Sequence, residues 1–168
     1  MEEKRIYLLA ELDEETQRHL GEISRKLTSA GFKGTQTPNL PYHLTLASFP
    51  AASLERILRK TEAVCKYTSA FPVRLTHIGL FGLTVLFLAP AVNYELLRLH
   101  DELQPDEPAT GSHSWSPHAT MLIDEPQAVL QALPIAENAF SPVDVIIKSV
   151  GVYEFFPAAF LHRFDLRS

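Results

Sequence analysis

The sequence is poor in cysteine, in cationic residues and in long apolar runs, and each shortage excludes a class of protein. The one cysteine among 168 residues, Cys65, cannot form an intramolecular disulfide, so the chain is not a disulfide-stabilised secreted domain. Lys and Arg number 15 against 20 Asp and Glu, and the net charge of -5 argues against a broad nucleic-acid surface. The longest apolar run, 78–92, is interrupted by Gly79, Gly82 and Pro90 and is too short to span a bilayer.

What the chain contains is typical of a folded domain. Hydrophobic residues make up 46% of it and charged residues 21%, without low-complexity tracts. The N-terminus runs into a strand-like segment without the apolar region of a signal peptide, so we expect a cytoplasmic protein without membrane contact. The length suits one domain or two small packed lobes. The sequence does not fix the oligomeric state, and a monomer is our expectation. We expect Cys65 to be a buried packing residue.

The apolar patterning predicts an α+β fold with the element order β-α-β-α-ββ-α-β-α-ββ. Strands are predicted over 6–12, 42–49, 71–80, 84–89, 115–124, 143–154 and 159–166, and helices over 14–30, 53–66, 93–103 and 127–133. The polar stretch 104–114, rich in Pro, Gly and Ser, is predicted to be a flexible loop.

Two strand-like stretches, YHLTLASF and SPHATMLID, each carry a histidine and a threonine two positions apart. Side chains alternate between the faces of a strand, so His43 shares a face with Thr45, and His118 shares a face with Thr120. An imidazole can take or give a proton near neutral pH, and a hydroxyl can donate to an anionic oxygen. Two such pairs facing one groove suit phosphodiester chemistry, with one imidazole as general base and the other as general acid.

The same pattern also fits two ordinary half-buried strands. Seven His in this composition produce about half of one His-x-Thr match by chance. Against this, both stretches alternate, both follow an aromatic or Pro residue, and both precede a predicted helix. The pattern alone leaves the two interpretations open. A metal hydrolase is disfavoured, because His-x-Thr is poor ligand spacing and no third ligand is evident. We therefore expect no metal and no cofactor.

The motifs His43-Leu44-Thr45-Leu46 and His118-Ala119-Thr120-Met121 resemble the paired motifs of the 2H phosphoesterase superfamily, most closely its branch of 2'-5' RNA ligases and RNA 2',3'-cyclic phosphodiesterases. RIYLLAELDEETQRHL resembles the opening strand and helix of that branch, and LTHIGLFGLTVLFLAP its central hairpin. SWSPHATM resembles the approach to the second motif, and VGVYEFFP with FLHRFDL the closing strand pair. The resemblance implies one bilobal domain over 1–168 with two-fold pseudo-symmetry, in which antiparallel sheets line a central groove and the helices lie outside.

The resemblance also implies an activity. It is the metal-free hydrolysis of a 2',3'-cyclic phosphate, on an RNA 3' end or a small cyclic nucleotide, to a phosphomonoester, or the reverse-type ligation of RNA ends. The residues that would carry it are His43, Thr45, His118 and Thr120. We assign His118 as base and His43 as acid, with a 2'-phosphate product, although the sequence does not fix these roles. The alternative is a non-catalytic module that binds a nucleotide or RNA end on the same fold, and the intact His/Thr set favours the enzyme.

Three further residues are candidate substrate contacts. Trp115 adjoins the second motif and could stack on a base, although packing is the favoured interpretation. Phe156, at the turn of the closing strand pair, could flank the groove as a base platform, and Arg163 could contact a phosphate. Members of the branch often carry a cation just after the second motif, where this chain has Leu122 and Ile123. This departure disfavours long RNA, and a small cyclic nucleotide fits equally well.

Overall fold

The computed structural model describes residues 3–104 and 114–168, which form eight strands, four α-helices and one short 3-10 helix over Ala51–Ser53. The strands are β1 (Arg5–Glu11), β2 (His43–Pro50), β3 (Phe71–Phe81), β4 (Val85–Ala91), β5 (Ala119–Ile123), β6 (Val143–Ile147), β7 (Ser149–Phe155) and β8 (Ala159–Asp165). The helices are α1 (Glu14–Ser29), α2 (Leu54–Tyr67), α3 (Tyr94–Leu103) and α4 (Pro126–Ala139). The predicted α+β class is confirmed. Most of the predicted loop over 104–114 lies outside the described residues.

The strands form two antiparallel sheets of the same design. The strand order is β2-β1-β7-β8 in the first sheet and β5-β4-β3-β6 in the second. The first two strands of each sheet come from one β-α-β-α unit, β1-α1-β2-α2 in one lobe and β4-α3-β5-α4 in the other. The predicted two-fold pseudo-symmetry is therefore confirmed. It makes β2 and β5, the strands of the two motifs, edge strands of their sheets.

The helices tie the two lobes together. Helix α1 follows β1 of the first sheet but packs against α4 and the second sheet, whereas α3 follows β4 of the second sheet and packs against β2. Most buried residues of both lobes consequently form one continuous core, beside a smaller cluster of Leu9, Tyr153 and Phe155. Asp13 caps α1 by accepting a hydrogen bond from the Thr16 backbone N–H at 2.9 Å. Among the described residues, no helix is both long and apolar enough to cross a membrane.

The structure corrects the predicted strand over 143–154. This segment is two strands, β6 and β7, which belong to different sheets, and the chain passes from one sheet to the other at Lys148. Both strands are rich in Val and Ile, so the apolar pattern continues across the junction without a turn residue to mark it. The closing pair of β7 and β8 forms as predicted.

Two other element boundaries differ from the predicted ones by more than two residues. Helix α4 runs to Ala139 instead of ending near 133, although Pro134 lies inside it. The small residues Ala132 and Ala136 are buried on its packed side, and this tertiary contact outweighs the backbone hydrogen bond that Pro134 removes. The strand predicted over 115–124 is regular only over Ala119–Ile123, and Trp115, before it, bonds to Thr45 of the other lobe, as described below.

Candidate active site

The two motifs occupy equivalent places in the two lobes. His43 is the first residue of β2, and His118 immediately precedes β5. From each histidine onward the six residues alternate in the same way: half-buried, buried, half-buried, two buried, half-buried. The histidine and the threonine of each motif are therefore both accessible from one side, while Leu44 and Ala119 anchor the strands to the core.

A β-bulge interrupts each motif at its fourth residue. The pairing of β1 with β2 skips Leu46, and the pairing of β4 with β5 skips Met121. An extra residue in one strand allows two consecutive side chains to point the same way. This is why Leu46 and Ala47 are both buried, as are Met121 and Leu122. The bulges lie directly behind the two threonines and repeat the pseudo-symmetry at the level of single residues.

The two imidazoles are oriented by the same hydrogen bond. Nδ1 of His43 lies 2.7 Å from the carbonyl oxygen of Pro41, and Nδ1 of His118 lies 2.8 Å from that of Ser116. A carbonyl oxygen can only accept, so Nδ1 carries a hydrogen and donates it in both rings. In each ring Nε2 is thus the nitrogen that can gain or lose a proton in a reaction.

The surroundings of the two rings differ. Burial lowers the pKa of His43, as does the nearby positive charge of His118, while the bond to Pro41 and the Glu11 carboxylate act in the opposite sense. The ring of His118 lies against Phe81, with its centroid 4.6 Å away, and against Phe87 at 5.2 Å. The lowered pKa favours a neutral His43, whose Nε2 lone pair can accept a proton.

Glu11 was not among the predicted site residues, yet it lies directly opposite His43 in the pairing of β1 with β2. Its carboxylate is 9% exposed and accepts bonds from Arg163 Nε at 2.6 Å, Arg163 Nη2 at 2.7 Å and Ser149 Oγ at 3.1 Å. A Cβ at Gly151 would lie 2.7 Å from Tyr153 Cε2 and 3.0 Å from this carboxyl carbon, so a side chain there would displace both groups. Arg163, predicted to contact phosphate, is thus already ion-paired, and bonding to Glu11 raises its pKa.

Two cavities meet at the four motif residues, which we call the His/Thr tetrad (His43, Thr45, His118 and Thr120). The first cavity, of about 700 Å³, is lined by three tetrad residues and by Tyr42, Phe155 and Phe156. The second, of about 1020 Å³, is lined by Thr45 and His118 and by Phe81, His100 and Trp115. Thr45 and Tyr7 line both cavities. The structure therefore brings the four predicted residues into one groove with space on either side.

Trp115 connects the second motif to the strand of the first. Its indole N–H donates to the carbonyl oxygen of Thr45 at 3.0 Å, and its ring stacks on His100 with the centroids 3.7 Å apart. His100 in turn donates from Nδ1 to the carbonyl oxygen of Leu46 at 2.8 Å. These bonds cover the open edge of β2. One face of Trp115 is thus committed to packing, while the residue still lines the second cavity.

The open edge of β5 is covered in the corresponding way by the loop that follows α1. The backbone N–H of Thr35 donates to the carbonyl oxygen of Ile123 at 2.7 Å, and Gln36 Oε1 accepts from the Ile123 N–H at 3.0 Å. Gly34, with φ of +71°, makes the turn that brings these groups to the strand. The same loop forms a wall of the first cavity.

Comparisons of the sequence and of the fold with known proteins agree with this geometry. The sequence model of the 2'-5' RNA ligase superfamily matches residues 12–155, a range that includes the whole tetrad. The chain belongs to the 2'-5' RNA ligase superfamily. The resemblance to the 2H phosphoesterases stated from the motifs is thereby confirmed. The members of this superfamily are enzymes of phosphodiester chemistry. A comparison with curated protein sequences finds no significant match.

Solved structures of this superfamily's fold match the chain over its full length. E. coli LigT in its apo form has a TM-score of 0.69 at 19% identity and covers 100% of both chains. TT0787 of Thermus thermophilus has a TM-score of 0.68 at 20% identity over 98% of both chains. E. coli LigT in complex with 3'-AMP has a TM-score of 0.66 at 16% identity over 99% of this chain and 100% of its own. At these identities the matches establish the fold.

Phe156 and Cys65 are two further residues about which the sequence made a prediction. Phe156 is 64% exposed at the rim of the first cavity, with its ring edge-on to Phe155 at 5.2 Å. Cys65 is buried as predicted, and burial raises the pKa of its thiol to about 12, which removes it as a nucleophile at neutral pH. Within 3–104 and 114–168, no three His, Cys, Asp or Glu side chains lie close enough together to hold a metal ion.

Proposed function

We propose that the protein is a phosphodiesterase that hydrolyses a 2',3'-cyclic phosphate to a phosphomonoester by general acid–base catalysis between His43 and His118. The observation that carries the proposal is the pair of Nδ1–H bonds to the backbone carbonyls of Pro41 and Ser116. His100 also donates from Nδ1 to a backbone carbonyl, but His43 and His118 are the two that do so from equivalent places in the two motifs. A pair of proton-transfer groups requires this, because each must offer the same nitrogen to the reaction.

The proposed step balances without a further reactant. A water oxygen attacks phosphorus while its proton passes to Nε2 of the neutral imidazole. The bond from phosphorus to one ribose oxygen breaks, and that oxygen takes a proton from Nε2 of the charged imidazole. The hydroxyls of Thr45 and Thr120 donate to the non-bridging oxygens, whose negative charge grows as the pentavalent state forms. Proton exchange with water then restores both rings.

The lowered pKa of His43 favours His43 as the base and His118 as the acid. This is the reverse of the assignment made from the sequence. Which ribose oxygen leaves depends on which one faces the acid, so the 2'-phosphate product stays a prediction. Product identity can be read by separating nucleoside 2'- and 3'-monophosphates after hydrolysis of a cyclic mononucleotide.

The first cavity supports a nucleotide as the substrate. It combines apolar rings, including the exposed Phe156, with the polar groups of the tetrad. E. coli LigT, which shares the fold, has been crystallised with 3'-AMP, with ATP and with NADP+. We infer that the base of the terminal nucleotide lies against Phe156, while Trp115 shapes the second cavity. Ligation, in which a 5'-hydroxyl replaces water as the nucleophile and opens the cyclic phosphate to a 2'-5' bond while the ribose 3'-oxygen leaves, would use the same two proton transfers in the same direction.

The experiment measures hydrolysis of cytidine 2',3'-cyclic phosphate with EDTA present. We expect turnover by the wild type and a loss of about 100-fold or more in kcat for each of His43→Ala and His118→Ala, since each removes one acid–base group. His77→Ala is the matched control, because His77 is an exposed histidine of β3 that lines neither cavity, and it should keep the wild-type rate. Full activity in either tetrad variant, or no activity in the wild type, would refute the proposal.

A further inference from the structure

A row of aromatic rings leads away from the tetrad across the groove face of the first sheet. Tyr7, Phe155, Tyr153 and Phe160 contact one another in that order, with ring centroids 5.0, 6.5 and 5.5 Å apart. Tyr7, Tyr153 and Phe160 are paired across β1, β7 and β8, and directly paired residues share a face. Because Tyr7 lines both cavities, the row joins the reaction centre to the edge strand β8.

The far end of this row is open to solvent. Phe160 is 53% exposed, whereas the rings beneath it are fixed, with Tyr153 at 6% and Phe155 at 8% exposure. Together with Phe156, it places two large exposed aromatic side chains on the single hairpin of β7 and β8. Exposed apolar surface beside a groove marks a contact with something outside the molecule. A rigid, exposed ring next to a nucleotide site is the usual platform for an unpaired base.

A cation accompanies the exposed ring. The Arg163 guanidinium lies over Phe160 at 5.2 Å from the ring centroid, and its side chain is 50% exposed. Glu11 takes two of the five N–H donors of this guanidinium, through Nε and Nη2. The ion pair therefore holds Arg163 in place without using all its hydrogen-bonding capacity. A planar cation beside an aromatic ring is suited to a phosphate that adjoins a stacked base.

We propose that Phe160 and Arg163 form a second nucleotide subsite, for the residue that precedes the one bearing the cyclic phosphate. This inference rests on the proposed function and specifies its substrate as a single-stranded RNA end of at least two nucleotides. The terminal nucleotide lies at the tetrad and Phe156, the preceding base stacks on Phe160, and the phosphate between them meets Arg163. One stacked base and one cation give a short contact, in keeping with the net charge of -5.

The test compares two substrates, cytidine 2',3'-cyclic phosphate and the dinucleotide ApC ending in a 2',3'-cyclic phosphate. We expect the wild type to prefer the dinucleotide in kcat/KM by about 5- to 150-fold, the factor that one base–aromatic stack supplies. Phe160→Ala should abolish this preference and leave turnover of the mononucleotide unchanged. Tyr94→Ala is the matched control, since Tyr94 is a 73% exposed aromatic residue on α3, and it should keep the preference.

The outcomes separate this subsite from the reaction itself. If the wild type hydrolyses neither substrate, the proposed function fails. If it hydrolyses both equally well, or if Phe160→Ala retains the preference, the subsite is refuted while the proposed function stands. A preference that persists in Phe160→Ala while the variant changes oligomeric state in gel filtration would make this face an interface between copies of the chain. That result would also overturn the subsite.

Salt dependence tests the part assigned to Arg163. One additional phosphate contact should make the slope of log kcat/KM against log salt concentration steeper by about 0.7 for the dinucleotide than for the mononucleotide. Equal slopes for the two substrates would remove Arg163 from the subsite and leave stacking on Phe160 alone.

Discussion

The contribution to stability of the hydrogen bonds between the loop after α1 and the edge of β5 can be tested at Gly34. A Cβ at this position would lie 2.1 Å from Gln36 Oε1, 2.7 Å from Leu122 Cδ1 and 2.9 Å from the carbonyl oxygen of Ile123. Alanine at φ of +71° costs about 1 kcal/mol in backbone strain alone. Its methyl group also displaces the Gln36 side chain and breaks the bond to the Ile123 N–H, which adds about 1–3 kcal/mol for the donor left without a partner.

Gly34→Ala should therefore lower the free energy of unfolding by about 2–4 kcal/mol and Tm by about 5–15 °C. Urea unfolding at constant pH measures the first quantity and calorimetry the second. Gly82→Ala is the matched control, because Gly82 also has a positive φ, +52°, but a Cβ there meets nothing within 4 Å. The control should lose only about 1 kcal/mol, the strain alone. If the two variants are equally stable, the contact between this loop and β5 does not contribute as the structure indicates.

Three further predictions concern the titrating groups. Glu11→Gln removes a charge that raises the pKa of His43, so the rising limb of the pH profile of kcat/KM should move to lower pH; an unmoved limb would exclude this coupling. Trp115, the only tryptophan, stacks on His100, whose pKa burial lowers. Its fluorescence should be quenched as pH falls below about 6.5, and His100→Asn should abolish that titration. Because both His43 and His100 have lowered pKa values, the unfolded chain binds more protons below about pH 6.5, and urea midpoints should fall from pH 7 to pH 5; constant midpoints would contradict this.

The shared face of each His/Thr pair could be predicted from the sequence because the pattern is local, whereas the role of the four residues followed from the resemblance to the 2H phosphoesterases. His43 and Thr45 lie two residues apart in an alternating strand, so their shared face follows from strand geometry. His118 and Thr120 repeat the pattern, and the structure brings both pairs to one groove. The helices were predictable for the same reason, since their apolar spacing needs no knowledge of what they pack against.

The remaining features depend on partners far away along the chain. Arg163 lies in an alternating strand, where a surface cation is common. No residue near it in the sequence indicates that it pairs with Glu11, 152 residues earlier. The passage between sheets at Lys148 is hidden because the strands on either side are equally apolar. In the sequence, each bulge, at Leu46 or Met121, is visible only as two consecutive apolar residues. Alternation alone does not show whether such a pair marks a bulge or the end of a strand.

The pH dependence of kcat/KM for cytidine 2',3'-cyclic phosphate tests the two-histidine mechanism most directly, because it reports the free enzyme's base and acid together. We predict a bell-shaped dependence of kcat/KM on pH for the wild type. The rising limb should disappear in His43→Ala and the falling limb in His118→Ala, each at greatly reduced rate, while His77→Ala keeps both limbs. A profile that is flat between pH 5 and 8 in the wild type, or that keeps both limbs in either tetrad variant, would contradict the account.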